Sequence, residues 1–173
     1  FFKKEENNNE LVFYCAAGLR LPVQEIVENY HNEFQDRVNI QFAGSGTLLA
    51  NIEASSTGDL YLAADKSYID IAIDKDFVES TIPLCNLTAG FVVRKNNPSK
   101  LKSIDDVLNN PSVRVVLANP EAASIGKFSK KVLSDAGKWE NISSRAVVMK
   151  PTVNEIANAV KLNSADVGIV WDA

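Results

Sequence analysis

The sequence is poor in the residues that most often bind metals or form disulfides. It contains one histidine, His31, and two cysteines, Cys15 and Cys85. One histidine and two widely separated cysteines lack the spacing of a metal cluster, and two cysteines are too few for a disulfide scaffold. Because both cysteines stand in apolar stretches, we expect two buried free thiols, with a bridge between them as the alternative.

Long apolar runs and clusters of positive charge are also missing. No stretch approaches the roughly 20 apolar residues of a membrane span. The net charge of −4 and the pI near 5.1 argue against a nucleic-acid surface. The 173 residues, 46% of them hydrophobic and 23% charged, have the composition of one medium globular domain or two small lobes.

The first ten residues, FFKKEENNNE, are charged and rich in asparagine, and they show no periodicity. We therefore expect residues 1–10 to form a solvated tail. The sequence shows no signal peptide, which fits either a cytosolic protein or a trimmed mature protein. A tail of this kind often follows a removed signal peptide or a lipid anchor.

Apolar runs typical of strands alternate with periodic segments typical of helices along the chain. The predicted strands cover 11–16, 38–43, 59–63, 86–98, 113–118, 145–149 and 166–171. The predicted helices cover 22–34, 47–54, 67–74, 103–110, 125–137 and 152–162. On the first of these helices, one face carries Val23, Ile26, Val27, Tyr30 and Phe34. Strands interleaved with short helices indicate βαβ units and mostly parallel sheets.

The alternating pattern divides in the middle of the chain. We predict an α/β fold with a first lobe at 11–83, a hinge at 84–89 and a second lobe at 90–173. The last predicted strand ends two residues before the end of the sequence, and no helix follows to cover it. We therefore expect that part of the natural chain is missing after residue 173.

Two motifs resemble enzyme sites but lack the required spacing. Cys15 and Arg20 stand one residue closer together than the Cys-x5-Arg loop of cysteine phosphatases requires. The pair Gly44-x-Gly46 is followed by Leu49 where a dinucleotide fingerprint needs a third glycine. We expect neither a phosphatase nor a dinucleotide site.

Three isolated polar residues have simpler structural interpretations. His31 lies on the polar side of its helix, and the sequence indicates no nucleophile or carboxylate partner for it. Asp59 and Asp65 flank the strand at 59–63, where turn or cap roles are expected in preference to an acid pair.

A repeated geometry remains after these motifs are set aside. Four strands run into short turns of small residues that open helices, at 15–22, 43–47, 119–126 and 150–155. Helix starts offer unpaired backbone N–H groups and about half a positive charge. In open parallel sheets such turns lie at one edge, so two facing lobes would direct several helix starts at one point. The pattern predicts an anion site made of neutral donors, although each turn alone fits an ordinary connection.

The same turns carry a resemblance to a known family. The segments VFYCAAGLRLPVQEI, QFAGSGTLLANIEA, GDLYLAADKSYID and VGIVWDA resemble, in order and spacing, the periplasmic molybdate- and tungstate-binding proteins of ABC importers. The resemblance extends from about residue 11 to residue 173. It implies two α/β lobes joined by a hinge that close on a tetrahedral oxyanion, in a family whose chains continue beyond the matching region.

The resemblance also implies a set of contact positions. Carried over residue by residue, they are Gly18, Ser45, Ala64, Ile125, Val153 and Trp171. Gly18 has no hydroxyl where the family usually has serine, and only the backbone of Ile125 can contribute. Trp171 replaces the family's tyrosine and can act only as a donor.

The resemblance implies an extracytoplasmic solute-binding protein, in the periplasm or lipid-anchored, that performs no catalysis and needs no cofactor. Its partners would be molybdate or tungstate and the membrane permease of an ABC importer, with the protein itself a monomer. No direct metal ligand and no nucleic acid are expected. One alternative is a binding protein for phosphate, sulfate or a small organic anion. Another is a doubly wound enzyme that uses Cys15.

Overall fold

The computed structural model describes residues 10–34 and 36–172. Residues 1–9 of the predicted tail lie outside the described residues. Glu10, the last residue assigned to that tail, is instead the first residue of a strand. The assignment was wrong at this position because Glu10 pairs with Arg37 in the first sheet.

The first half of the chain contains a three-stranded parallel sheet. Its strands are β1 (Glu10–Ala16), β2 (Arg37–Ala43) and β3 (Leu60–Leu62), in the order β2-β1-β3. A 3-10 helix at Ala17–Leu19 follows β1. Three α-helices complete this half: α1 (Arg20–Phe34), α2 (Ser45–Ser55) and α3 (Lys66–Asp74). Each parallel connection therefore crosses through a helix, as the alternating pattern predicted.

The second half contains a four-stranded sheet. Its strands are β4 (Ala89–Val93), β5 (Val115–Ala118), β6 (Ala146–Lys150) and β7 (Val167–Trp171), in the order β4-β7-β5-β6. Strand β4 runs antiparallel to β7, and the other pairs are parallel. The helices are α4 (Ile104–Asn109), α5 (Ser124–Asp135), α6 (Trp139–Ser144) and α7 (Val153–Lys161). The lobe and hinge boundaries given above stay a prediction.

Strand β5 shows how the second half is held together. All four of its residues are buried. Val115 and Leu117 pack into one apolar cluster, whereas Val116 and Ala118 pack into another. Successive side chains of a strand point to opposite faces, so helices cover both faces of this sheet. This arrangement explains why residues 115–118 are all apolar.

Several helix boundaries follow from capping residues visible in the sequence. Ser103 and Asp106 form a capping box at the start of α4. Thr152 caps α7 by accepting a hydrogen bond from the Glu155 amide. Just after α5, Gly137 adopts a φ of +67°, a left-handed conformation that favours glycine at this position.

The predicted elements differ from the structure at three places. The strand predicted at 86–98 covers only Ala89–Val93, because the chain turns at Asn96 and Asn97, both with positive φ. The short helix α6 was not predicted. On α1, Ile26 and Phe34 are 63% and 54% exposed, so the predicted apolar face is only partly covered.

One cysteine prediction was wrong. Cys15 is a buried free thiol, as expected, but Cys85 is a free thiol that is exposed. Its neighbours Ile82 and Leu84 are exposed too, so the apolar stretch around Cys85 does not mark a buried element.

Within the described part of the chain, no helix has both the length and the apolar character required to cross a membrane.

Candidate functional site

The carboxyl ends of five strands meet at one pocket between the two halves of the chain. The residues that line it follow β1, β2, β5, β6 and β7: Ala16, Ala17, Gly18, Ala43, Gly44, Ser45, Ala123, Ser124, Ile125, Thr152, Val153 and Trp171. All four of the turns singled out in the sequence contribute to this lining. The space measures about 10 Å³, about the minimum that holds one water. A four-oxygen anion is larger than one water, so side chains of the lining must shift to hold one.

Helix starts face the pocket with few side-chain caps. Among the described residues, no side chain caps the 3-10 helix after β1, helix α2 or helix α5. By contrast, α3, α4 and α7 are capped by Asp65, Ser103 and Thr152. The first amides of an uncapped helix need another partner. The pocket therefore gathers backbone N–H donors that an anion can satisfy.

Two buried hydroxyls add to these donors. Ser45 and Ser124 are only 1% and 4% exposed. The Oγ atom of Ser45 accepts a hydrogen bond from the Ala64 amide at 3.2 Å, and that of Ser124 accepts one from Nε1 of Trp171 at 3.1 Å. In the described part of the chain, neither hydroxyl proton has an acceptor. Both hydroxyls are thus prepared to donate into the pocket.

The pocket lining carries no charged side chain in the part of the chain that the structure describes. Its polarity comes from amides, the hydroxyls and the positive ends of helices. Behind it lies the thiol of Cys15, which bonds to the Ala16 carbonyl at 3.6 Å. Burial raises the pKa of this thiol to about 12, although nearby Arg20 acts in the opposite direction. A thiol with such a pKa stays protonated near neutral pH, which argues against a nucleophile at this position.

Glycines allow the two halves to approach closely around the pocket. A Cβ atom on Gly44 would lie 2.2 Å from the Ala122 carbonyl oxygen and 2.5 Å from that of Pro151. A Cβ on Gly46 would lie 2.1 Å from the Glu121 carbonyl oxygen. Any larger residue at either position would therefore hold the halves apart.

Hydrogen bonds join the halves at the same place. The Gly46 amide donates to the Ala122 carbonyl at 3.0 Å. The Tyr68 hydroxyl donates to the Pro120 carbonyl, also at 3.0 Å. On the other side of the pocket, the Asn154 side chain donates to the Ala17 carbonyl at 3.0 Å. The pocket is thus enclosed by direct contacts between the two halves.

The structure brings together five of the six contact positions implied by the resemblance. Gly18, Ser45, Ile125, Val153 and Trp171 all line the pocket. The sixth, Ala64, is not in the lining, and its amide bonds to the Ser45 hydroxyl. That these residues bind a ligand stays a prediction.

Three polar residues of the site were not identified from the sequence. Ser124 stands in the quoted turn at 119–126, and its place at the start of a predicted helix was the available signal. Tyr68 and Asn154 reach across to the other half, and a contact of this kind has no local sequence signature.

The residues set aside as structural do have structural partners. Asp65 caps α3, so its cap role is confirmed, whereas Asp59 accepts a hydrogen bond at 2.8 Å from the Val12 amide, 47 positions away. His31 is hydrogen-bonded to the Asp36 carbonyl. The Arg20 guanidinium lies 4.1 Å from the ring centre of Phe42. Over the described residues, no group of histidine, cysteine or acidic side chains could hold a metal ion.

A family model confirms what this geometry indicates. The model for bacterial extracellular solute-binding proteins matches residues 11–173. The chain belongs to this family. Its members bind solutes and are not enzymes, so the family membership argues against the enzyme alternative.

Curated relatives agree with the resemblance seen in the sequence. The chain is 28% identical over 171 residues to the molybdate-binding protein ModA of Escherichia coli, covering 95% of this chain and 66% of that protein. It is 26% identical over 161 residues to a binding protein of Haemophilus influenzae, covering 93% of this chain and 65% of that protein. The chain thus spans slightly less than two thirds of the length of these relatives.

Solved structures show the same fold. The periplasmic molybdate-binding protein of Azotobacter vinelandii matches with a TM-score of 0.74 at 18% identity, covering 93% of this chain and 71% of that one. The sulfate-binding protein SubI of Mycobacterium tuberculosis matches with a TM-score of 0.78 at 16% identity. The match covers 94% of this chain and 64% of that one. At these identities the likeness is one of fold, and it confirms the predicted periplasmic-binding-protein fold.

Proposed function

We propose that this chain captures a tetrahedral oxyanion, molybdate or tungstate, between its two lobes and presents it to the membrane permease of an ABC importer outside the cytoplasm. The observation that carries the proposal is the pocket itself. It joins uncapped helix starts and two buried hydroxyl donors, and no charged side chain lines it in the described part of the chain.

The ligands in this proposal are the backbone amides of Gly18, Ser45, Ile125 and Val153, together with the Ser45 hydroxyl. Each of these amides lies in the first turn of a helix, where it has no intrahelical acceptor. Neutral donors stabilise a desolvated anion through their dipoles. They also bring no fixed counter-charge, so the anion can leave again when the lobes open.

The hydrogen-bond pattern of the hydroxyls favours a fully ionised anion over a protonated one. Ser45 and Ser124 each already accept a bond from an N–H group. Phosphate near neutral pH retains a proton, which needs an acceptor, and the pocket lining offers no carboxylate for it in the described residues. Molybdate, tungstate and sulfate carry no such proton. The relative from Escherichia coli, a molybdate-binding protein, supports molybdate among these three anions.

A thermal-shift panel tests the proposal. A ligand that binds only the native state stabilises it by about 2.7 kcal/mol at a hundred times its dissociation constant. For a chain of this size, each kcal/mol raises the melting temperature by roughly 2–4 °C. Saturating molybdate or tungstate should therefore raise it by about 5–10 °C at fixed ionic strength, and chloride should not. A larger shift with sulfate or phosphate would reassign the ligand, and no shift with any oxyanion would refute the proposal.

The variant Ser45→Ala tests the site itself. Loss of a hydrogen bond to a charged group costs roughly 1–3 kcal/mol, so molybdate affinity measured by calorimetry should fall about ten- to hundredfold. The matched control is Ser129→Ala. The Ser129 hydroxyl is buried on α5 and lacks a partner among the described residues, and it is not in the pocket lining. An unchanged affinity in Ser45→Ala would place Ser45 outside the binding site.

A further inference from the structure

A buried hydrogen bond links the end of β7 to the start of α5. Nε1 of Trp171 donates to Oγ of Ser124 at 3.1 Å. Ser124 is the first residue of α5 and Trp171 the last residue of β7, and both line the pocket. The indole has one N–H and no acceptor. In this arrangement its only donor is therefore already used by the serine.

We propose that Ser124 contacts the bound anion through its hydroxyl and that Trp171 is a positioning residue that acts through Ser124. This inference rests on the function proposed above. The serine hydroxyl has one proton and can accept from a donor at the same time. With the indole N–H on its acceptor side, the hydroxyl proton is turned away from Trp171. The pocket is the open space beside it.

Trp171 is held in place on three sides. Its ring lies 5.1 Å from that of Phe128, which stands on α5 one turn after Ser124. Its backbone pairs with Ala89, the first residue of β4. The following residue, Asp172, exchanges two hydrogen bonds with Thr88, at 3.0 Å and 2.7 Å. A ring packed in this way fixes the direction of the Ser124 hydroxyl instead of moving to meet a ligand.

The consequence concerns specificity. Ser45 comes from the first half of the chain and Ser124 from the second, and each hydroxyl accepts from an N–H donor behind it. The anion would thus receive one oriented hydroxyl from each lobe. A ligand that offers protons instead of acceptors would leave both hydroxyl protons without an acceptor.

A double-mutant cycle separates the two roles. Molybdate and tungstate affinities are measured by calorimetry for the parent, Ser124→Ala, Trp171→Phe and the double variant. Ser124→Ala should lower the affinity roughly ten- to hundredfold, as expected for a hydrogen bond to a charged group. Once Ser124 is alanine, Trp171→Phe should change the affinity by less than about twofold, because an indirect contribution vanishes with its mediator. Additive losses, or no loss in Ser124→Ala, would overturn the inference.

Tryptophan fluorescence tests the hydrogen bond between Trp171 and Ser124 directly. If Ser124 had only a structural role, its replacement would leave the Trp171 emission unchanged. The chain has two tryptophans, so Trp171 is the only one in a Trp139→Phe background. In that background, Ser124→Ala should shift the Trp171 emission because the indole loses its hydrogen bond, whereas Ser129→Ala should leave it unchanged. An emission unaffected by Ser124→Ala would contradict the proposed link, even if Trp171→Phe does not fold.

The outcomes distinguish this inference from the function on which it rests. If the parent binds no oxyanion, both fail. If the parent binds molybdate and Ser124→Ala binds it within twofold as tightly, only the role of Ser124 fails.

Discussion

Gly46 offers a test of how the two lobes close. It is the second residue of α2, and its amide donates to the Ala122 carbonyl of the other half at 3.0 Å. A Cβ atom there would lie 2.1 Å from the Glu121 carbonyl oxygen, far inside ordinary contact distance. In Gly46→Ala the obstacle is backbone, which cannot move aside as a side chain end can. The lobes must therefore stay farther apart than in the parent protein.

The substitution has two effects of opposite sign. Within α2, alanine is favoured over glycine by up to about 1 kcal/mol, so the ligand-free protein should be as stable as the parent or melt roughly 2–4 °C higher. Closure, in contrast, loses the hydrogen bonds from the Gly46 and Thr47 amides to the Ala122 carbonyl. At about 0.5–1.5 kcal/mol for each bond, molybdate affinity should fall roughly 5- to 150-fold.

Calorimetry with molybdate and a thermal melt without ligand measure the two effects separately. The matched control is Gly90→Ala, where an added Cβ meets nothing within 4 Å. This control should leave the affinity unchanged. If Gly46→Ala bound molybdate as tightly as the parent, the contact between α2 and the Glu121–Ala122 backbone would not belong to the ligand-bound state, and the reasoning would fail. A large loss of ligand-free stability would equally contradict it.

Two further predictions concern buried groups outside the pocket. Iodoacetamide at pH 8 should label the exposed Cys85 in the native protein, whereas Cys15, whose thiol pKa burial raises to about 12, should react only after denaturation. Mass spectrometry checks this, and rapid native labelling of Cys15 would contradict it. Hydrogen bonds from Arg114, and a further one from Arg94, hold the pKa of Asp166 well below its usual range. These bonds therefore stabilise the folded state fully above about pH 4, where the carboxyl is ionised in the unfolded chain too. The stabilisation is lost as the pH falls toward the pKa of Asp166 in the folded state. Asp166→Asn should therefore cost roughly 1–3 kcal/mol at pH 7 in urea melts, and the difference from the parent should shrink below about pH 4; a constant difference would refute this cause.

Local patterns in the sequence were sufficient to predict most of the fold. The run at 113–118, apolar except for Arg114, was predicted as a strand, and β5 is buried on both faces. The capping box at Ser103 marked the start of α4. The failures have local causes too. Helix α6 has six residues, too few for a periodic pattern, and the direction of β4 depends on its pairing with β7.

The location of the site was predictable from the sequence, but the hydrogen bonds within it were not. Small residues after successive strands identified the turns that line the pocket, because parallel strands bring their carboxyl ends to one edge. The bonds within the pocket depend on side chains from distant parts of the chain. The indole of Trp171 meets Ser124 across 47 positions, and Tyr68 reaches Pro120 across 52. No local pattern encodes such pairs, so Trp171 was expected to face the ligand directly.

The first turn of α2 connects ligand binding to closure. Ser45 offers its amide and hydroxyl to the pocket, whereas the next two amides, those of Gly46 and Thr47, donate to the Ala122 carbonyl of the other half. In the proposed function, one helix start thus divides its donors between the anion and the opposite lobe. A ligand can shift a conformational equilibrium only through a difference in affinity between the two states. An anion held by amides from both lobes has that difference, because opening the cleft removes the donors of one lobe. The same turn then loses its bonds to Ala122, so release of the anion and opening of the lobes are expected to occur together.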